Sequence, residues 1–239
     1  MMKNELILIP SPLTEVTNRD WLSPLTALYM KELRYFLVEN VRSARRFISS
    51  MKLGIEIEKL HFSVLDKNTD WEDLPELMIP LSAGNSMGVI SEAGCPGVAD
   101  PGALAARYAH TLGCRVIPLT GPSGILLALM GSGLNGQNFT FNGYLPVDKQ
   151  ERIRMIRTLE SISNGNGSAQ IFMETPYRND KLLQDVINTC QKETWLCIGA
   201  NLTSPEQFLR TQRIADWKKD IPGLNKIPAI FIIQSGVFP

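Results

Sequence analysis

Histidine is scarce in this 239-residue chain, which contains only His61 and His110. A Ser-His-Asp hydrolase needs a histidine base, and transition-metal sites commonly use several imidazoles, so both classes are disfavoured. The P-loop pattern of nucleotide hydrolases, G-x-x-x-x-G-K-[ST], is absent. The stretch Gly121-Pro-Ser123-Gly-Ile falls one residue short of the G-x-S-x-G nucleophile elbow, because Ile125 stands at its last position.

The chain has no formal net charge, since 24 Lys and Arg residues balance 24 Asp and Glu residues. No overall positive field therefore attracts nucleic acid, and a polyanionic partner would need a local basic patch. Two concentrated basic runs could supply such a patch, although runs of this kind are usually solvated helix faces. They are Arg42, Arg45 and Arg46, and Lys149, Arg152, Arg154 and Arg157.

Long hydrophobic runs are also missing. The apolar run at residues 6–9 is too short for the core of a signal peptide, and no segment approaches the ~18–20 apolar residues of a membrane span. The four cysteines include no C-x-x-C pair, which predicts small, mostly buried apolar residues instead of a disulfide or zinc framework. We therefore expect a soluble, cytoplasmic protein.

Strand-like and helical segments alternate along almost the whole chain. Short apolar runs ended by Pro, Gly or polar residues predict strands, from residues 6–9 to residues 229–233, and apolar residues at three- and four-residue intervals predict helices between them. This alternation is typical of α/β layering with mainly parallel strands. A polar, extended segment at 201–212 suggests mixed pairing in the second half. We predict two α/β lobes with mixed sheets, residues 1–119 and 120–239.

Two glycine-containing segments are interpreted as turns or loops. Gly131-Ser-Gly133-Leu-Asn-Gly136 matches G-x-G-x-x-G, but a dinucleotide fingerprint follows a strand and opens a helix. Here the glycines follow a predicted helix and precede a predicted strand, so they indicate a helix end and a turn. The alternating Asn and Gly residues at 161–168 predict a short polar loop after a helix at 149–161.

Loops rich in glycine and proline follow several predicted strands, at the edge where open α/β sheets bind their ligands. The longest, residues 91–102, contains three Gly and two Pro residues and includes Asp100, a predicted helix cap. Residues 119–123 and residues 9–14 form similar loops, and the three together predict the walls of a ligand cleft. A rigid crossover loop with a capping aspartate is the alternative for residues 91–102.

Charged residues follow another predicted strand, at residues 169–173. Glu174 and Arg178 could face a ligand at the end of that strand. A helix start with Pro176 in its first turn is the alternative.

Taken in order, these motifs resemble the tetrapyrrole methylase superfamily of S-adenosylmethionine-dependent methyltransferases. The resemblance extends from about residue 6 to residue 233. Within the superfamily, the sequence is similar above all to the small-subunit ribosomal RNA ribose 2′-O-methyltransferase branch. The motifs are jointly specific. They are Ser91-Glu-Ala-Gly-Cys-Pro with Asp100-Pro-Gly102, Val116-Ile-Pro-Leu-Thr-Gly-Pro-Ser123, Gly131-Ser-Gly-Leu134, Phe141-Asn-Gly-Tyr-Leu-Pro146 and Glu174-Thr-Pro-Tyr-Arg178.

The resemblance implies a homodimer of two-lobed α/β subunits, with S-adenosylmethionine bound in a cleft between the lobes and no metal required. It also implies methyl transfer, with ribosomal RNA or the small ribosomal subunit as the expected acceptor. Methylation of a tetrapyrrole or another small molecule, and a non-catalytic homologue that binds the cofactor, are the alternatives. The residues that it assigns to the cofactor are Pro12, Glu92, Ala93, Gly94, Val98, Ser123, Gly124, Glu174 and Leu202.

Several positions depart from the RNA-modifying branch. That branch reads acidic-acidic-Thr-Arg followed by His and another basic residue, whereas this chain has Glu39-Asn-Val-Arg42-Ser-Ala-Arg45. The loop at residues 10–15 lacks the usual Ile-Gly-Asn continuation, Glu92 replaces a usual Asp, and the usual C-terminal extension is missing. A carboxylate within hydrogen-bond reach of a ribose hydroxyl could take its proton, and Glu39 is the candidate. An ordinary surface role is the alternative for Glu39.

Overall fold

The computed structural model of the chain describes residues 4–14 and 23–236. The chain divides into two compact units, Met1–Ser123 and Gly124–Pro239. The boundary lies in the loop between the last strand of the first sheet and the first helix of the second unit. Each unit contains one five-stranded sheet.

The first unit alternates strands with helices in the way that the apolar pattern predicts. Short 3₁₀ turns at Ile57–Lys59 and Trp71–Asp73 interrupt the connections. The strands are β1 (Glu5–Ile9), β2 (Tyr35–Val38), β3 (His61–Val64), β4 (Met87–Ile90) and β5 (Arg115–Pro118). The helices are α1 (Pro24–Glu32), α2 (Val41–Ser50), α3 (Leu74–Leu77), α4 (Ile79–Ser82) and α5 (Gly102–Thr111).

Every pairing in the first sheet is parallel, in the order β3-β2-β4-β1-β5. Two clusters of buried apolar residues pack against it; Ile7 and Phe36 belong to one, and Leu6 and Leu37 to the other. Neighbouring strand residues therefore point into different clusters, which explains why these strands are continuous apolar runs. All five strands also end at the same edge of the sheet, so the loops that follow them are neighbours.

The second unit begins with a helix and carries a mixed sheet. A 3₁₀ turn at Pro176–Arg178 precedes its third helix. The strands are β6 (Phe139–Tyr144), β7 (Ala169–Met173), β8 (Trp195–Ala200), β9 (Phe208–Arg213) and β10 (Ala229–Gln234). The helices are α6 (Gly124–Ser132), α7 (Lys149–Asn166), α8 (Asn179–Thr189) and α9 (Ile214–Trp217).

The strand order in the second sheet is β6-β7-β10-β8-β9. The β6–β7 pair is parallel, whereas β10 pairs antiparallel with β7 and β8, and β8 pairs antiparallel with β9. Phe172, Phe231 and Trp217 are fully buried in the core of this unit, and the indole N–H of Trp217 donates to the carbonyl of Leu196 at 2.9 Å. The predicted α/β class is confirmed, and the mixed pairing is confined to this second sheet.

Local structure differs from the sequence prediction in two places. The pattern does not predict β3, because this edge strand is half polar and is not fully buried. The polar loop predicted at 161–168 is wrong, since α7 continues to Asn166 and ends at Gly167, which has a φ of 68°. The turn predicted from G-x-G-x-x-G is confirmed, because Gly133 follows α6 directly with a φ of 69°.

The four cysteines are free, and three of them are buried while Cys95 is half-buried, which confirms their predicted packing role. Within residues 4–14 and 23–236, no helix combines the length and the apolar character needed to cross a bilayer. The same described residues contain no group of three or more His, Cys, Asp or Glu side chains arranged to hold a metal ion.

Candidate functional site

The loops that follow β1 and β4 are hydrogen-bonded to each other at the carboxyl edge of the first sheet. Ser11 and Gly94 exchange two backbone hydrogen bonds, of 2.9 and 3.1 Å. The buried hydroxyl of Ser11 donates to the carbonyl of Ser91 at 2.7 Å. Gly94 has a φ of 78°, a left-handed conformation that favours glycine. The two loops are therefore fixed as one unit.

The loop that follows β5 is locked against the same pair. A Cβ atom on Gly121 would lie 2.2 Å from the Cβ of Pro10, so the two backbones approach more closely than any larger residue allows. The thiol of Cys95 donates to the carbonyl of Pro122 at 3.4 Å. Burial, with a smaller contribution from the nearby Asp100 carboxylate, raises the pKa of that thiol. All three predicted ligand loops thus form one continuous rim.

Asp100 organises the far end of the long loop. Its Oδ1 accepts the backbone N–H groups of Gly97 at 2.6 Å and of Gly102 at 2.7 Å, so its side chain caps the start of α5 although Pro101 directly precedes the helix. Burial raises the pKa of this carboxyl; the two backbone hydrogen bonds and, to a smaller extent, the Ser91 side chain oppose the rise. Its Oδ2 is buried and has no hydrogen-bond partner among the residues that the structure describes.

Glu39 lies directly after β2, half-buried beside the long loop. Its Oε1 accepts the backbone N–H of Glu92 at 3.0 Å. Burial is the largest influence on this carboxyl and raises its pKa; the hydrogen bond from Glu92 opposes the rise, and the charges of Asp100, Glu92 and Asp66 add to it. A carboxylate with a raised pKa is a stronger base than an ordinary glutamate, which suits it to accept a proton.

The first turn of α2 continues the site from Glu39. The side-chain oxygen of Asn40 accepts the N–H groups of Arg42 at 2.9 Å and of Ser43 at 3.2 Å, which is the usual way of capping a helix start. One face of the helix, formed by Asn40, Ser43, Ala44 and Phe47, borders a pocket.

This pocket has a volume of about 70 Å³ and is partly open to solvent. Opposite α2, its walls come from the loop after β1 and from the end of β4. Those walls are formed by Ser11, Pro12, Ile90, Ser91 and Glu92. The first unit therefore holds a cavity beside Glu39 whose lining is apolar in part and polar in part.

The two basic runs differ in how far their side chains are exposed. Arg42, Arg45 and Arg46 are all exposed on α2, and the guanidinium of Arg45 lies 5.6 Å from the centre of the Phe62 ring. In the second run, the side chain of Arg152 is 8% exposed and its guanidinium contacts the Asp185 carboxylate at 2.6 Å. It also donates to two backbone carbonyls after β6. Arg152 is therefore a structural residue and cannot contribute to a basic patch.

Two of the three site residues predicted in the second unit, Glu174 and Leu202, are buried. Glu174 follows β7, and its Oε1 accepts the N–H of Thr175 and a guanidinium N–H of Arg178, each at 2.6 Å. Leu202 follows β8 between two residues in the left-handed region, Asn201 at φ 47° and Thr203 at φ 75°. A β-branched residue in that region is strained, so this turn is held by its surroundings.

Of the predicted site residues, those of the first unit lie around one rim. Ser123 directly precedes α6 and Gly124 is its first residue, while Glu174 and Leu202 belong to the second sheet. The rim residues are Pro12, Glu39, Glu92, Ala93, Gly94, Val98 and Ser123. Sequence reasoning missed the α2 face of the pocket, although an Asn before a helix, with small and aromatic residues three and seven positions later, was a usable signal.

Two relatives carry the same name, ribosomal RNA small subunit methyltransferase I. The chain is 36% identical over 137 residues to the one from Mesorhizobium japonicum, an alignment that covers 57% of this chain but only 45% of that protein. It is 24% identical over 216 residues to the one from Buchnera aphidicola subsp. Schizaphis graminum, which covers 87% of this chain and 74% of that protein. No family model matches the chain.

Two solved structures share its fold. The methyltransferase CobJ matches with a TM-score of 0.61 over 97% of this chain and 92% of its own. Diphthine synthase matches with a TM-score of 0.64 over 97% of this chain and 90% of its own. Both are 16% identical to the chain, so these matches concern the fold alone.

Proposed function

We propose that the chain is an S-adenosylmethionine-dependent methyltransferase of the tetrapyrrole methylase superfamily and that it methylates a ribose 2′-hydroxyl of small-subunit ribosomal RNA. The observation that carries the choice of substrate is the alignment over 87% of the chain with a relative named for that RNA. The raised pKa of Glu39 supports proton removal from a hydroxyl group.

Several features of the rim fit S-adenosylmethionine. Gly94, in its left-handed conformation, exposes no side chain that would keep a ligand from the backbone. The buried Oδ2 of Asp100 has no hydrogen-bond partner within residues 4–14 and 23–236, and it is an acceptor that a hydroxyl or amino group of a ligand could satisfy. Bound cofactor would supply an electrophilic methyl group on its sulfonium. We assign its binding to Pro12, Glu92, Ala93, Gly94, Val98, Ser123, Gly124, Glu174 and Leu202.

Glu39 would act on the acceptor. Its Oε1 is occupied by the N–H of Glu92, which fixes the carboxylate in place. Its Oε2 would take the proton of the 2′-hydroxyl as the new bond to carbon forms. Apart from this proton transfer, the residues of the rim contribute by holding the reacting groups in line, for which no metal ion is needed.

The proposal includes a cytoplasmic homodimer. The helix α6 exposes Leu126 and Met130, and Met130 is 78% exposed, which is unusual for a large apolar side chain. An exposed apolar helix face of this kind supports association with a second copy of the chain. Sedimentation velocity of the wild type and of Met130→Glu tests it: we expect a dimer that the substitution weakens, and a monomeric wild type would contradict it.

Methyl transfer from labelled S-adenosylmethionine tests the enzymatic proposal. Purified small ribosomal subunits and tetrapyrrole precursors are offered as acceptors in parallel. We expect label in the RNA, at a position whose 2′-hydroxyl becomes resistant to alkaline cleavage. Label in the precursors alone would refute RNA as the substrate, and label in neither acceptor would refute the methyl transfer proposed here.

The role of Glu39 has its own test. Glu39→Gln should lower kcat by about 10²- to 10⁴-fold while cofactor affinity is kept, because only the proton acceptor is lost. The raised pKa of Glu39 predicts that wild-type activity falls, as pH is lowered, at a higher pH than an ordinary glutamate would give. In Glu39→Gln, this fall of activity at low pH should be absent. The exposed Glu58 provides the matched control Glu58→Gln, which should behave as wild type.

A further inference from the structure

The α2 side of the pocket has no part in the cofactor assignment. Pro12 and Glu92, on the opposite walls, line the pocket and are also assigned to the cofactor. The pocket therefore adjoins the proposed cofactor site without coinciding with it. We infer that this pocket receives the nucleobase of the nucleotide whose ribose is methylated. The inference rests on the proposed function and adds to it a means of holding the acceptor.

The chemistry of the lining suits a nucleobase. Ala44, Phe47 and Ile90 provide apolar and aromatic surface on which a flat ring can rest. Asn40 and Ser43 provide an amide and a hydroxyl, which can hydrogen-bond to the edge of a base. Its volume, about 70 Å³, is well below the about 300–1,000 Å³ of sites for drug-sized molecules, so the pocket is too small for a macrocycle.

The position of the pocket relative to Glu39 gives the second argument. Asn40, which lines the pocket, follows Glu39 in the chain, and Glu92, which also lines it, donates its N–H to the Glu39 carboxylate at 3.0 Å. A nucleotide whose base enters the pocket therefore brings its ribose towards the carboxylate. Unpaired, splayed-out bases are what sequence-specific RNA-binding proteins commonly recognise.

Charge on the same helix gives the third argument. Between Val41 and Ser50 there are three arginines and no acidic residue, and Arg42, Arg45 and Arg46 are all exposed. Such a helix can contact the phosphates on either side of the inserted nucleotide. A neutral small molecule would gain nothing from these charges, so they favour a segment of single-stranded RNA as the occupant.

A pair of substitutions on α2 tests the inference. Ser43→Phe fills the pocket from its helical wall, whereas Ser49→Phe makes the same change at an exposed position outside the pocket lining. The probe is a short single-stranded oligoribonucleotide of mixed sequence with a fluorophore, and its affinity is measured by anisotropy. Calorimetry with S-adenosylhomocysteine on the same three proteins measures the cofactor site.

We expect Ser43→Phe to weaken oligoribonucleotide binding by about tenfold or more, which is the order of one lost base contact, while Ser49→Phe binds as wild type. Cofactor affinity should be unchanged in both variants. Equal RNA affinity in the two variants would overturn the inference, and so would a wild type that does not bind the oligoribonucleotide. If Ser43→Phe instead weakened only cofactor binding, the pocket would belong to the cofactor.

A failure of the base pocket can be distinguished from a failure of the proposed function. Methylation of the small subunit by wild type and by Ser43→Phe at equal kcat/KM would leave the enzyme assignment intact and remove the base pocket. Label found only in tetrapyrrole precursors would refute the RNA substrate and, with it, the inference. A higher KM for the subunit with unchanged cofactor affinity in Ser43→Phe would support both.

Discussion

The close approach of the loops after β1 and β5 can be tested by adding a single methyl group. In Gly121→Ala the new Cβ would lie 2.2 Å from the Cβ and 2.5 Å from the Cγ of Pro10, where ordinary contacts are 3.4–4 Å. The backbones must therefore separate by at least about 1.2 Å. Pro10 cannot turn aside because its ring is closed. Both loops are also anchored, since the N–H of Leu119 donates to the carbonyl of Leu8 at 3.0 Å.

The expected cost follows from this geometry. Overpacking of a well-ordered site costs about 1–3 kcal/mol in the free energy of unfolding, and the rigid neighbour places Gly121→Ala in the upper part of that range. A shift of about 1 Å in a positioning loop can also lower a catalytic rate by about 10²-fold. We therefore expect a larger fractional loss of methyl transfer than of folded protein at 25 °C.

Urea denaturation measures the first quantity, and single-turnover methyl transfer measures the second. Gly136→Ala is the matched control, because no atom lies within 4 Å of its added Cβ and Gly136 does not have a positive φ. If Gly121→Ala unfolds within about 0.5 kcal/mol of wild type and keeps its activity, the loops are not locked together and the reasoning fails.

Three further substitutions or modifications test other parts of the structure. Asp185→Leu should lower the free energy of unfolding by about 3–5 kcal/mol, because it leaves the Arg152 guanidinium buried and unpaired; adding Arg152→Met should recover most of the loss in urea denaturation. Gly165→Ala should raise the melting temperature, with a gain of about 0.5–1 kcal/mol, since Gly165 lies in α7 with no atom within 4 Å of an added Cβ. Burial raises the pKa of Cys197 to about 11, so iodoacetamide at pH 8 should label it only after denaturation, as mass spectrometry can show. Unchanged unfolding in the first, a lower melting temperature in the second, or rapid native labelling in the third would contradict these expectations.

The first sheet was predictable because its strands are buried on both faces and read as unbroken apolar runs. The strand β3 was not, because an edge strand needs few apolar residues and its pairing with β2 depends on distant residues. The helix α7 passes through Asn and Gly residues that locally favour a loop. Ser163 shows why: it is fully buried, donates to the carbonyl of Ser168 and accepts the N–H of Ser235, so a contact with β10's end outweighs local propensity.

The loops of the candidate site could be predicted, because glycine and proline directly after apolar strands reveal where the backbone must turn sharply. The Ser11–Gly94 hydrogen bonds could not, since they join residues about 80 positions apart. The burial of the Arg152 side chain could not be predicted either, for the same reason. Its partner Asp185 is 33 residues away on α8, and a basic residue in an exposed-looking run gives no local sign of such a pair.

Because Arg152 is buried and paired with Asp185, it adds no positive charge to the surface that an RNA would meet. The cations that stay exposed on α7 are interleaved with acids, since Asp148 and Glu151 lie in the same turn as Lys149. The helix α2 has exposed arginines and no acid along its length. Opposite charges within a Debye length of about 10 Å offset each other for a distant phosphate, whereas the three arginines of α2 have no acidic residue on their own helix. An RNA substrate would therefore approach the first unit at α2, beside the carboxylate proposed to act on it.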